Sequence, residues 1–223
     1  MATSFTTTIN ISAEDLQLLK DQGYSLYGFK SVASSGNGFP TVCLHLPSEK
    51  LLPKTTISWN EEMRAYNSLT SISPGVKINP NGIVPTDLGQ KVTIERGTGQ
   101  LYSSRNGYKG VVSFDNEDTR EFTVGINQSV NGEYNMLCAL SIFVGYSVPI
   151  TPLSKVALMF SQERIPTGTV IAKAMSDGAF IDATGVSSRE VNYVQNRWSA
   201  NGVTWFKNLN ASTDLRNLLI ERL

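Results

Sequence analysis

One histidine, two cysteines and few charges set the first limits on this chain of 223 residues. His45 is the only imidazole, so any Ser-His-acid or Cys-His constellation has to use it. It shares a strand face with Cys43 in Val42-Cys-Leu-His-Leu46. Residues two apart on a strand stand about 7 Å apart at Cα, too far for a direct nucleophile–base bond. No serine stands in a Gly-x-Ser-x-Gly setting. His45 therefore reads as a structural or surface residue. Two cysteines cannot build a disulfide framework. Cys43 and Cys138 each lie in an apolar run and read as small buried side chains with reduced thiols.

The same scarcity excludes most metal chemistry. One histidine and two distant cysteines do not make a zinc tetrahedron. Asp115-Asn-Glu-Asp118 offers oxygen ligands of the kind calcium takes, but Thr119-Arg120 follow at once, and the cluster reads as a solvated turn. Gly36-Asn-Gly38 and Gly97-Thr-Gly99 lack the Lys-Ser/Thr and the strand–helix frame of a phosphate loop. Glu61-Glu62 are adjacent, so on a strand they face opposite ways, and a glycosidase pair would need carboxylates from distant strands. No catalytic residue, cofactor or metal is expected, and the chain reads as a non-enzyme.

Charge is short as well. Charged residues are 17% of the chain, with 19 basic and 19 acidic side chains. No global field attracts nucleic acid, and neutrality removes a barrier to self-association, so a homo-oligomer is expected. The longest poorly charged stretch, Tyr134–Phe160, carries Lys155 alone. Its apolar part before Pro149 is about 13 residues, whereas a membrane helix needs roughly 20. Pro149 and Pro152 would interrupt a longer one. No transmembrane span is expected; two buried strands, joined at Gly145 or at Pro149–Pro152, are. Met1-Ala-Thr-Ser-Phe-Thr-Thr-Thr has neither a basic nor an apolar leader region, which points to a cytoplasmic protein or one released without a signal peptide, unless a leader has been removed. Asn10-Ile-Ser12, Asn127-Gln-Ser129 and Asn210-Ala-Ser212 match the glycosylation pattern and read as chance matches.

What is abundant is strand and turn chemistry. The clearest helix is Ile11–Gly23, about residues 12–22, with Ser12 as cap, Asp15 at the third helical position, an Ile11/Leu16 staple and Gly23 as terminator. Leu16, Leu18 and Leu19 are its inward side chains. Strands follow at Tyr24–Val32, Pro40–Leu46, Thr55–Trp59, Met63–Leu69, Lys91–Glu95, Val111–Phe114, Phe122–Asn127 and Ser154–Phe160, with turn signals between them. Three two-residue hairpin turns set registers. Asn131-Gly132 pairs Ile126 with Leu137 and Val124 with Ala139. Asp177-Gly178 pairs Met175 with Phe180 and Lys173 with Asp182. Asn201-Gly202 pairs Trp198 with Trp205 and Arg197 with Phe206. Ser212–Leu223 has helical spacing over about 213–222; a strand over Leu218–Leu223 is the alternative. The expected fold is all-β: one antiparallel β-sandwich, or partly closed barrel, over residues 1–223, with strands over about 24–207 and a short helix at each end.

A short helix ahead of a sandwich resembles, in element order alone, the sea-anemone cytolysins and fruit-body lectins. The resemblance implies a β-sandwich pore-forming toxin as an alternative function, with Ile11–Gly23 or a Ser/Thr-rich hairpin as the segment that detaches. Glu14, Asp15, Lys20 and Asp21 leave that helix a narrow apolar face and poor membrane affinity.

The remaining chemistry is aromatic. Eight Tyr and three Trp often stand beside Asn, Ser or Gly, a combination that stacks on a sugar ring, hydrogen-bonds its hydroxyls, or sits in a lipid headgroup layer. Aromatics are also normal strand residues whose usual place is the core. The ligand-binding candidates are Trp198, Trp205, Trp59, Tyr193, Tyr108 and Arg197, with the Trp198/Trp205 pair foremost because it stands near a hairpin tip. The leading functional expectation is a lectin-like, non-enzymatic recognition protein that binds glycans or membrane surfaces. A self-assembling structural or storage protein is a further alternative.

Overall fold

The structure, a computed structural model, describes residues 4–200 and 203–223. Its strands are β1 (Ser4–Ile11), β2 (Ser25–Ser34), β3 (Gly38–Pro40), β4 (Leu44–Leu46), β5 (Lys54–Ser68), β6 (Gly82–Thr86), β7 (Lys91–Ile94), β8 (Leu101–Ser104), β9 (Val112–Asn116), β10 (Phe122–Val130), β11 (Glu133–Met136), β12 (Cys138–Ile142), β13 (Ser147–Ser161), β14 (Gly178–Asp182), β15 (Ser188–Val194), β16 (Arg197–Ser199), β17 (Phe206–Leu209) and β18 (Ile220–Glu221). Two short helices accompany them, α1 (Ala13–Asp21) and α2 (Leu215–Leu219).

The strands form two sheets packed as a sandwich. The first runs β16-β15-β1-β5-β10-β12-β3, with β11 on β10 and β6 on β5. The second runs β17-β14-β13-β9-β7-β8, with β2 paired to β13, β4 and β18. Period-two alternation divides each strand between layers. On β2, Leu26 and Val32 enter the space between the sheets, while Tyr27 and Phe29 turn outward beneath α2. On β10, Phe122, Val124, Ile126 and Val130 supply the opposing inner face. Each such large side chain, fully buried, contributes roughly 1.5–3 kcal/mol against conformational entropy.

The all-β sandwich is as expected, but its sheets are mixed. β1/β15, β7/β9 and β2/β18 are parallel pairs. The N-terminal strand was not anticipated: Ser4–Ile11 lies between β15 and β5, so a strand precedes the helix. That helix matches its reading. Ser12 Oγ accepts the Asp15 N–H at 3.1 Å, and Gly23 takes φ +69°. A cap of this kind contributes about 1 kcal/mol. Leu19 is fully buried, whereas Leu16 and Leu18 are half-buried.

Several registers differ. The Pro40–Leu46 return strand is two short strands, β3 on the first sheet and β4 on the second, because the chain changes sheet there. Thr55–Trp59 and Met63–Leu69 are one strand, β5, irregular where it passes Ser129. Asn131-Gly132 is a turn with both φ positive, and the Leu137 N–H donates to Ile126 O at 2.9 Å as expected. Beyond it the register slips by one, and Val124 faces Leu140 rather than Ala139. That bulge turns both Leu137 and Cys138 into the core. Asp177-Gly178 is not a hairpin turn. Gly178 begins β14, which pairs Asp182 with Lys155 on β13 and lies between β13 and β17. A Cβ at Gly178 would meet Leu158 O at 2.5 Å, so close backbone approach requires the glycine there. At the C-terminus the helix is short, with Asp214 as cap, and a two-residue strand follows it.

Tyr134–Phe160 becomes β11, β12 and β13. The break is at Phe143–Tyr146, where Gly145 has φ +75°, rather than at the prolines. β13 is the hub of the second sheet, paired with β2, β9 and β14. Among the described residues no helix is long and apolar enough to cross a membrane.

Candidate functional site

The six residues singled out by sequence do not converge on one place. Tyr193 and Trp198 do meet: they face each other directly across β15 and β16. Their connecting turn is Gln195-Asn196, with φ of 54° and 58°. This corrects the expected Trp198/Trp205 pair. The Asn201-Gly202 turn behind that expectation lies outside the described residues. Trp205 stands ahead of β17, half-buried, with the Arg189 guanidinium 4.6 Å from its ring centroid. Arg197 is exposed and pairs with Val194, not Phe206. Trp59 is a core residue on β5, stacked on Phe5 at 6.1 Å. Tyr108 is 80% exposed, on the loop between β8 and β9.

Two other tyrosines are engaged within the fold's own contacts, one in the core and one at the surface. Tyr66 is fully buried, and its hydroxyl donates to Cys138 O at 2.6 Å. The Tyr134 hydroxyl donates to Glu62, and Arg64 covers its ring at 3.7 Å.

Tyr193 and Trp198 stand in a surface groove of about 600 Å³ between α1, the β15–β16 turn and the segment leading into β14. Its floor is aromatic and belongs to the core: Trp198, Tyr193 and Phe160 are buried, in the same cluster as Trp59, and only their margins line the groove. Trp198 stacks on Phe160 at 5.2 Å, and Tyr193 meets both rings edge-on at 4.8 and 5.1 Å. Its walls carry Gln22, Tyr24, Ser176, Asp177 and Asn196. Asp15, buried at the base of α1, accepts the backbone N–H groups of Gln195 and Asn196 at 2.8 and 2.9 Å. One carboxylate thus fixes the helix start and the turn that carries the groove wall. Burial, with Asp15, Tyr24 and Asp177 nearby, pushes the Tyr193 hydroxyl up to about 12. It remains a protonated hydrogen-bond donor at neutral pH.

A second constellation was missed. Lys30 lies on the inner face of β2, 3% exposed, and its ammonium nitrogen donates to Gln128 Oε1 on β10 at 2.7 Å. The nitrogen is 4.8 Å from the Trp59 ring centroid. No carboxylate forms an ion pair with it among the described residues. Burial lowers its pKa to about 7, partly countered by Cys43. The signal was present in sequence: Leu26, Gly28, Lys30 and Val32 share one face of a strand, so Lys30 holds a position the period assigns to the core.

The residues set aside by sequence behave simply. His45 is exposed and stacks on Tyr27 at 5.0 Å. Cys43 and Cys138 are free and buried. The acidic cluster is less solvated than expected: Asn116 and Asp118 are buried, Asp118 takes both Arg120 Nε and Nη2 at 3.1 Å, and Asp115 pairs with Lys91 at 2.5 Å. No group of three or more metal-ligating side chains gathers among the described residues. Asn127, in one of the three matches to the glycosylation pattern, is buried on β10.

Compared with family models, with curated proteins and with solved structures, the chain matches none.

Proposed function

We propose that the protein is a non-enzymatic recognition protein that binds a saccharide in the groove floored by Tyr193 and Trp198. One observation carries this reading: the groove sets an apolar aromatic floor beside amide, hydroxyl and carboxylate side chains, at Asn196, Gln22, Ser176 and Asp177. A pyranose ring has the matching pattern of C–H faces and hydroxyl edges. Trp198 stacks on Phe160 and Tyr193 meets both rings edge-on, and all three are buried, so the floor offers only ring margins and the polar wall supplies most of the contact and the orientation. The turn residue Asn196 is pinned from behind by Asp15, which limits the ordering cost of binding. Self-association, eased by equal opposite charges, would present several grooves to one glycosylated surface and raise avidity.

Glycan-array binding by the intact chain tests this reading. Tyr193→Phe removes a donor, and Asn196→Gly removes an amide while suiting the positive φ. Each is expected to weaken the strongest array signal about tenfold, the worth of one or two hydrogen bonds. No signal on any glycan, or full signal in both variants, overturns it.

A second reading, attachment to a membrane surface, rests on the Phe143-Val144-Gly145-Tyr146 tip. Its Phe143, Val144 and Tyr146 side chains are 48%, 46% and 66% exposed on one turn. Co-sedimentation with liposomes, lost in Phe143→Ser/Tyr146→Ser, would favour it. Dye release from the same liposomes would favour the pore-forming alternative.

A further inference from the structure

Lys30 stands at the wall of a pocket of about 320 Å³, with Gln128 beside it. Phe5, Met63, Leu88, Pro152 and Leu153 make its apolar side, and Glu61, Asp87 and Ser154 complete the wall. The volume is at the lower end of the range for small-molecule sites. The pocket exists because both sheets are irregular at this level. On the second sheet, Pro152 pairs with Val32 and Val156 with Lys30, so Leu153, Ser154 and Lys155 bulge out opposite Ser31 alone. Pro152 has no N–H with which to continue the ladder. On the first sheet, Gln128 pairs with Met63 and Val130 with Trp59, so Asn60, Glu61 and Glu62 bulge out opposite Ser129. Leu153, Ser154 and Glu61 line the space thus opened. Two facing bulges bracket Lys30 and Gln128, a pair of polar side chains that meets across the sandwich core, and bulges re-aim side chains at functional sites.

The chemistry of the wall narrows the ligand. A buried amine with a neutral amide for its hydrogen-bond partner is costly to keep charged, and its titration is displaced accordingly. Neutral, it is a buried nucleophile at the wall of a pocket with an apolar side, and desolvated lysines attack carbonyl carbons. Glu61 and Asp87 also line the pocket and disfavour an anionic ligand.

We propose that this pocket takes a small, uncharged aliphatic aldehyde and that Lys30 captures it reversibly as a Schiff base. The Lys30 nitrogen lone pair adds to the carbonyl carbon, forming the C–N bond and a carbinolamine. The nitrogen gives up its two protons, the carbonyl oxygen leaves as water, and a C=N bond remains. Atoms and electrons balance without oxidant or reductant, and hydrolysis reverses the step. The reaction is separate from saccharide recognition, since no residue lines both the pocket and the groove.

The test is reductive trapping. The intact protein is treated at pH 7.5 with one equivalent of hexanal and sodium cyanoborohydride, and the alkylated lysines are located by peptide mass mapping. The expected result is an alkyl adduct concentrated at Lys30, at least tenfold above that on exposed Lys50, Lys54 or Lys109. Lys30→Met is expected to lose it. Leu153→Trp, which fills the pocket and leaves the lysine in place, is expected to lose it too, and so guards against a Lys30 variant that fails to fold. Labelling spread over the exposed lysines with Lys30 unmodified overturns the proposal. Protection by hexanoate but not by hexanol also overturns it, because it would show an ammonium site for carboxylates.

Discussion

Lys30 Nζ, from one sheet, donates to Gln128 Oε1, from the other, at 2.7 Å across the core of the sandwich. The lysine titrates near 7 in the folded chain and near 10.5 when unfolded. Between those values the unfolded state binds more protons, so stability rises with pH through that window, with a slope approaching about 1.4 kcal/mol per pH unit. Below pH 7 both states are protonated and this contribution is flat. Replacing the pair together, Lys30→Met/Gln128→Leu, avoids leaving a buried amide unpaired. Urea unfolding at pH 7, 8 and 9 should show the wild-type chain gaining on the double variant as pH rises. Parallel pH curves for the two proteins would contradict this.

Cys43 and Cys138 are buried, and burial pushes both thiols up to about 12. Thiolate, not thiol, attacks a disulfide reagent. The native protein at pH 8 should therefore release no chromophore from Ellman's reagent over minutes, and two equivalents after guanidinium unfolding. A thiol that reacts quickly in the native state would place a cysteine at the surface.

The Arg120 guanidinium, hydrogen-bonded to Asp118, holds that carboxyl down at about 2, below its ordinary 3.8. A depressed carboxylate stabilises the fold above its unfolded pKa, and the gain disappears as pH falls from about 4 to about 2. Asp118→Asn should flatten the acid limb of the stability curve over that interval. An unchanged acid limb would mean that the pair contributes nothing there.

Asp15 serves two distant backbones, its own helix start and the Gln195-Asn196 turn. Asp15→Ala leaves both turn N–H groups without their acceptor, and a loss of about 2–3 kcal/mol is expected. The groove should suffer with it, so saccharide affinity should fall in Asp15→Ala although the side chain sits behind the turn. Calorimetric unfolding together with array binding checks both halves. Lost stability with unchanged binding would separate the turn from recognition.

The sandwich itself was legible because alternation and turn residues are local signals. Ser12, Asp15 and Gly23 declared the helix in the same way. What failed was non-local. Gln195-Asn196 carries no strong turn signal, yet it is the hairpin turn that pairs Tyr193 with Trp198, held by an aspartate far away in the chain. Gly178 looked like a turn residue, whereas its missing side chain makes room for the Leu158 carbonyl. Trp59 looked available and is core, and Tyr193 and Trp198 are buried in the same cluster, as strand aromatics usually are. Lys30 and Gln128 were overlooked because a polar residue in a strand is normally assigned to the wet face. Only the opposing sheet shows that each has the other as its partner.

The saccharide groove is tested most directly by NMR. A ¹H–¹⁵N spectrum is followed during titration with the best array ligand. Saccharide binding in the groove should shift the Trp198 indole N–H and the Asn196 and Gln22 side-chain amides, with the Phe143–Tyr146 tip unmoved. Shifts confined to that tip, or to no site at all, would contradict it.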